Sequence, residues 1–128
     1  MTKPLVSIIT PCYNGEAFLK RYFESILNQT YPNLELIFIN DGSTDRTEEI
    51  ALSYRERLEK RGITYIYEKQ ENAGQAAALN RGLKLFTGEY LTWPDSDDVM
   101  VSDAVEKKVD YLEQHPDYGF CICKTKVV

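Results

Sequence analysis

The chain has 128 residues, 43% of them hydrophobic, and a net charge of −5, with a pI near 4.9. It is long enough for one domain that buries roughly two-thirds of its unfolded surface. The acidic balance argues against a general affinity for nucleic acid or anionic membrane, and no stretch approaches the ~20 apolar residues that span a bilayer. Met1-Thr2-Lys3-Pro4 leads straight into a strand without a signal-peptide hydrophobic region. The expected location is therefore the cytoplasm, any membrane association being supplied by parts outside this chain.

Leu5 to Thr10 is a short apolar run rich in β-branched residues, the mark of a strand covered on both faces. It is expected to stop at Pro11-Cys12-Tyr13-Asn14-Gly15, a sharp loop, because Pro11 has no amide donor. From Glu16 to Gln29, apolar residues recur at spacings of three and four, which predicts an amphipathic helix. A second strand covers Leu34 to Ile39. It is followed by the turn Asn40-Asp41-Gly42-Ser43-Thr44-Asp45, which also supplies a helix cap. The spacing predicts a helix over Arg46 to Lys60, stopped by Gly62, and a strand over Ile63 to Glu68. After Asn72-Ala73-Gly74 comes an Ala-rich helix, Gln75 to Phe86, and then a strand, Glu89 to Trp93. The remaining elements are a helix from Ser102 to His115 and a last strand from Tyr118 to Cys123.

Cys12, Cys121 and Cys123 are an odd number without zinc-ligand spacing and read as thiols in a reducing compartment. His115, the single histidine, precedes Pro116 and is expected to cap its helix. The alternating order with short connections predicts an α/β fold: a mostly parallel sheet with helices on both faces, a three-layer sandwich.

In such sheets ligands bind beyond the carboxyl ends of the strands. Pro11-Cys12-Tyr13, Asp41-Gly42-Ser43 and Asp95-Ser96-Asp97-Asp98 all fall there. Three carboxylates within four residues repel one another and are costly to desolvate, so they call for a hard divalent cation or open water. The alternative is a solvated turn in which Ser102 or Asp103 caps the next helix. Neither G-x-G-x-x-G after the first strand nor G-x-x-x-x-G-K-[ST] is present. A metal on the acidic cluster would hold a pyrophosphate instead.

Four segments in order, Val6 to Asn14, Ile39 to Asp45, Asn72 to Gly82 and Gly88 to Asp98, resemble family 2 glycosyltransferases. The resemblance implies a GT-A fold, a nucleotide-diphospho-sugar donor, expected to be a UDP-sugar, and inversion at the anomeric carbon. By motif position, Pro11, Cys12, Tyr13, Glu16, Asp41 and Ser43 would line the nucleoside pocket, Asp41 reading the edge of uracil. Asn72, Gly74 and Ala78 would border base and phosphates, although the Ala run also suits core packing. Asp95 and Ser96 would face the ribose or a metal-bound water, and Asp97, with Asp95, would hold Mn²⁺ or Mg²⁺.

Two departures stand out. Trp93-Pro94 replaces a simple apolar pair before the first Asp of the cluster, and Asp110, Glu113 and Asp117 lie in no base motif. The catalytic base is therefore expected beyond Val128, with residues 1–128 as the nucleotide-sugar-binding part of a larger transferase domain. The implied product is a cell-surface polysaccharide or glycoconjugate, on a sugar, lipid-linked or protein acceptor, and a homodimer is compatible with the sequence. Two other readings compete: a non-catalytic nucleotide-binding scaffold, and a receiver-like phosphate-accepting module, which would need an acidic pair after the first strand.

Overall fold

The computed structural model describes residues 3–94 and 100–115. Four parallel strands, β1 (Val6–Cys12), β2 (Leu34–Asp41), β3 (Thr64–Gln70) and β4 (Tyr90–Thr92), form one sheet in the order β3-β2-β1-β4. Among the described residues, five helices connect or follow them: α1 (Leu19–Leu27), α2 (Thr47–Ser53), α3 (Arg55–Lys60), α4 (Gln75–Leu83) and α5 (Ala104–Gln114). The continuous apolar runs at β1 and β2 are buried on both faces. On one face Ile8, Leu36 and Phe38 pack with Phe23 of α1, Leu58 of α3 and Val109 of α5. On the other, Ile9, Ile37 and Ile39 pack with Ala78 of α4. This is the expected three-layer α/β arrangement.

Several boundaries differ from the sequence expectation. The first strand does not stop at Thr10 but continues through Pro11 to Cys12, paired to Asn40. Proline is tolerated there because β4 pairs β1 only over Val6 to Ile8, so the missing donor falls where one flank has no ladder. The first helix begins at Leu19 rather than Glu16. The helix expected over 46–60 is broken at Tyr54, whose backbone lies at φ −89° and ψ −6° while its ring stacks on Phe23 at 4.8 Å. The third strand extends to Gln70 rather than ending at Glu68, because its ladder with β2 runs on to Asp41. The Ala-rich helix ends at Leu83, its last turn tightened by the Lys84 and Leu85 amides donating to Arg81 and Gly82 carbonyls. His115 does close α5, its amide donating to the Leu112 carbonyl and its ring stacking on Tyr111. The strand expected over Tyr118 to Cys123, with Cys121 and Cys123, lies outside the described residues.

Two buried polar clamps hold the sheet to its connections. Glu35, 3% exposed on β2, accepts hydrogen bonds from Ser7 Oγ (2.8 Å), the Thr87 amide (2.9 Å) and Thr87 Oγ1 (2.8 Å). Ser7 Oγ in turn accepts from the Gly88 amide at 2.9 Å. Only glycine fits at position 88, because a Cβ would lie 2.5 Å from Ser7 Oγ and 2.7 Å from the Leu5 carbonyl oxygen. Gln29, also 3% exposed, donates to the Ser25 and Val101 carbonyls and accepts from the Val105 amide, which ties the end of α1 to the start of α5.

Candidate functional site

The carboxyl ends of β1, β2 and β3 carry three loops that are joined to one another. After β1, Asn14 turns the chain with φ +52°, a left-handed conformation that asparagine tolerates. The next amides all point at the β2–α2 loop. Asn14 N–H donates to Ser43 Oγ (2.9 Å), Gly15 N–H to Thr47 Oγ1 (2.9 Å) and Glu16 N–H to Asp45 Oδ2 (3.1 Å). Asn14 Oδ1 accepts the Thr44 amide at 2.8 Å in the opposite direction. Asp45 Oδ1 accepts the amide and hydroxyl of Thr47, so the turn satisfies the first amide of α2 from the residue before its N-cap, Arg46.

Asn40 and Asp41 fix the other side. Asn40 Oδ1 accepts the Ser43 amide, closing the turn, while its Nδ2 donates to the Tyr67 hydroxyl, which donates to Glu48. Burial, with the Glu48 carboxylate adding to it, pushes the Tyr67 hydroxyl up to about 12, so it stays a donor. Asp41 is 3% exposed and faces the start of α4. Its Oδ1 accepts Gln70 Nε2 and the Ala73 amide, both at 2.9 Å, and its Oδ2 accepts the Gly74 amide at 3.0 Å. Burial alone would raise this carboxyl. The three donors outweigh that and hold it below the usual range, and a carboxylate at a helix N-terminus gains further from the helix dipole. Gly42 completes the corner: its φ is +70°, and a Cβ there would sit 2.5 Å from the Asn72 amide nitrogen. Between the β2–α2 and β3–α4 loops lies an open cleft of about 460 Å³, lined by Gly42, Ser43, Lys69, Gln70, Glu71 and Asn72.

The expected site residues divide into three groups. Ser43 and Asn72 line the cleft, and Asp41, beside Gly42 in the chain, accepts the Gly74 amide. Tyr13, 54% exposed, and the exposed Glu16 lie on the adjoining loop. A third group is buried. Ala78 is fully buried against the isoleucines of the sheet, and Cys12, 2% exposed, turns its side chain into the core, so neither side chain offers surface to a ligand. Pro11 is likewise buried, within β1 rather than in a loop. Asp95, Ser96, Asp97 and Asp98 lie outside the described residues, and among the described residues no group of three or more His, Cys, Asp or Glu could hold a metal. Sequence reasoning missed Lys69, Gln70 and Glu71. They belong to a polar run past the apolar part of β3, where only the pairing with Ile39 to Asp41 shows that the ladder continues.

Residues 7–127 match the family described as Glycosyl transferase family 2. The chain belongs to that family. An uncharacterized glycosyltransferase of Haemophilus influenzae is 42% identical over 127 residues, covering 94% of this chain and 50% of the relative. The chain spans from 14% to 50% of the length of such curated relatives. Among solved structures, TarS 1-349 of S. aureus in complex with UDP superposes with a TM-score of 0.78 at 26% identity, covering 87% of this chain and 32% of TarS. A mannosyltransferase of Pyrobaculum calidifontis, PcManGT, in complex with GDP-Man and Mn²⁺, also gives 0.78, at 30% identity, covering 88% of this chain and 33% of that one. The fold of this family 2 chain is accordingly that of the GT-A glycosyltransferases. No helix among its described residues is long and apolar enough to cross a membrane.

Proposed function

We propose that this family 2 chain is the donor-binding part of an inverting, metal-dependent glycosyltransferase that uses a UDP-sugar. The observation that carries the reading is the state of Asp41. A carboxylate offers about four acceptor positions, and protein donors take two on Oδ1 and one on Oδ2. The remaining position, on Oδ2 of a residue that adjoins the cleft-lining Gly42 in sequence, suits a ligand that presents an N–H. The N3–H of uracil is such a group and so is the N1–H of guanine, whereas adenine and cytosine present a ring acceptor there. Complexes of the two structural relatives with UDP and with GDP-Man fit this chemistry.

In this reading the exposed ring of Tyr13 packs on the base, and Ser43 and Asn72 border the nucleotide. Asp97 and Asp95 would hold Mn²⁺ or Mg²⁺ with Ser96 alongside. When bound, the metal supplies Lewis-acid stabilisation of the departing diphosphate. The Mn²⁺ in the PcManGT complex supports a divalent cation. Inversion follows if the acceptor hydroxyl attacks the anomeric carbon opposite the diphosphate. The product proposed is a cell-surface polysaccharide or glycoconjugate, by family analogy.

Calorimetry with UDP, GDP and ADP, with Mn²⁺ and after chelation, tests the reading. The expected order of affinity with Mn²⁺ is UDP first and ADP last. Equal binding of ADP and UDP would remove Asp41 from base recognition, preference for GDP would reassign the donor, and equal affinity after chelation would remove the metal.

A further inference from the structure

The three consecutive amides after Tyr13 are held by three different side chains of one neighbouring loop, and two of those side chains are themselves joined. Asp45 Oδ2 accepts the Glu16 amide directly, while Oδ1 accepts the Thr47 amide at 2.9 Å and the Thr47 hydroxyl at 2.5 Å. A hydroxyl has one proton to give. By taking it, Asp45 turns the lone pairs of Thr47 Oγ1 toward the Gly15 amide. Thr47 is fully buried, so water cannot replace that bond. Thus two of the three amides depend on Asp45, one directly and one through Thr47. The third, from Asn14, goes to Ser43.

We infer that Asp45 is a positioning residue for nucleotide binding, fixing the Tyr13–Glu16 loop against the β2–α2 loop so that Tyr13 meets the base. The inference rests on the functional reading above. Tyr13, being 54% exposed, is not placed by burial in the core, so its position is inherited from the backbone beside it. Asp45 itself touches no ligand in this scheme. Its carboxyl is held below the usual range because the Thr47 hydroxyl and the Thr47 and Glu16 amides outweigh burial, so it remains an acceptor at neutral pH.

The test uses the 128-residue chain and its variants Asp45→Ala, Asp45→Asn and Tyr13→Ala, the double variant Tyr13→Ala/Asp45→Ala, and Glu49→Ala as a charge control on the same helix. UDP affinity is measured by calorimetry with Mn²⁺, and exchange of the Asn14, Gly15 and Glu16 amides by NMR. Asp45→Ala is expected to speed exchange at Gly15 and Glu16 at least about tenfold and to weaken UDP binding about tenfold. In the Tyr13→Ala background the same substitution should cost under about twofold, because the residue it positions is gone. Asp45→Asn keeps one acceptor oxygen and should fall between, which preserves the test if Asp45→Ala does not fold. Glu49→Ala should match the parent chain. Unchanged UDP affinity in both Asp45 variants, or an equal loss with and without Tyr13, would overturn the inference while leaving the functional reading intact. Failure of the parent chain to bind UDP at all would instead overturn the functional reading and the binding role of Asp45 with it.

Discussion

Replacing Glu35 by alanine removes the acceptor at the centre of the Ser7–Thr87–Gly88 clamp, and the structure allows the cost to be apportioned. Ser7 is fully buried, so its hydroxyl loses a charged partner that water cannot replace, a penalty of about 1–3 kcal/mol. Thr87 is exposed, and water can take over its amide and hydroxyl, so those two bonds add only about 0.5–1 kcal/mol together. The two parts together make the expected loss for Glu35→Ala about 1.5–4 kcal/mol, centred on about 2.5–3 kcal/mol. Glu35→Gln should cost under about 1 kcal/mol, since its carbonyl still accepts from Ser7 Oγ and the Thr87 amide while its NH₂ donates to a reversed Thr87 hydroxyl. Urea unfolding at pH 7, followed by far-UV circular dichroism, reads both. With a slope of about 2 kcal/mol/M the alanine variant should lose about 1–1.5 M in midpoint at unchanged slope. If glutamine proved as damaging as alanine, the clamp would depend on the charge of Glu35 and the apportioning by acceptor geometry would be wrong. A neutral alanine variant would show that the clamp contributes nothing.

Gly88→Ala should lower stability by about 1–3 kcal/mol, because the new methyl meets the Leu5 carbonyl and Ser7 with no room to move; a thermal midpoint within 1 °C of the parent, to order of magnitude, would contradict this. Asp41 has a folded-state pKa below its unfolded value, so the stability it contributes is complete above the unfolded value near ~3.9 and is lost as pH falls through the folded one. The stability gap between the parent and Asp41→Asn, measured by denaturant titration, should therefore be constant from pH 7 to about 5 and close below about pH 4; a gap that widens in acid would reverse the sign. Asp97→Ala should weaken Mn²⁺-dependent UDP binding far more than Asp98→Ala in calorimetry, and the opposite ranking would reassign the metal ligand.

The layers of this fold were legible because Leu34 to Ile39 and Val6 to Thr10 are continuous apolar runs, which only a sheet covered on both faces can bury. The break at Tyr54 was not, since the periodicity of Ile50, Ala51 and Leu58 is the same for one helix or two, and only stacking on Phe23 shows where the chain turns. At the candidate site, the turns after β1 and β2 could be read only approximately from Pro11-Cys12-Tyr13 and Asp41-Gly42-Ser43, because the strands run on to Cys12 and Asp41. What Asp41 holds could not, because its donors lie 29 to 33 residues away in a segment that looks like an ordinary polar connection. Glu35 shows the same limit. Nothing in Leu34-Glu35-Leu36 shows what Glu35 holds, since its partners lie at positions 7 and 87.

The bridge between the first two loops also bears on the order in which the molecule assembles. Its hydrogen bonds join residues 29 to 32 positions apart, whereas the Gly88–Ser7 bond beside β4 closes 81 positions. The longer closure costs about 0.9 kcal/mol more in chain entropy, and contacts of high sequence separation form late. The bridge itself should therefore be organised from the first 47 residues before β4 is added beside β1. Pulse-labelled exchange during refolding should find the Gly15 amide protected before that of Gly88; simultaneous protection would mean that both halves of the sheet fold in one step. On this order of events the bridge between the loops after β1 and β2 is already closed when β4 docks beside β1.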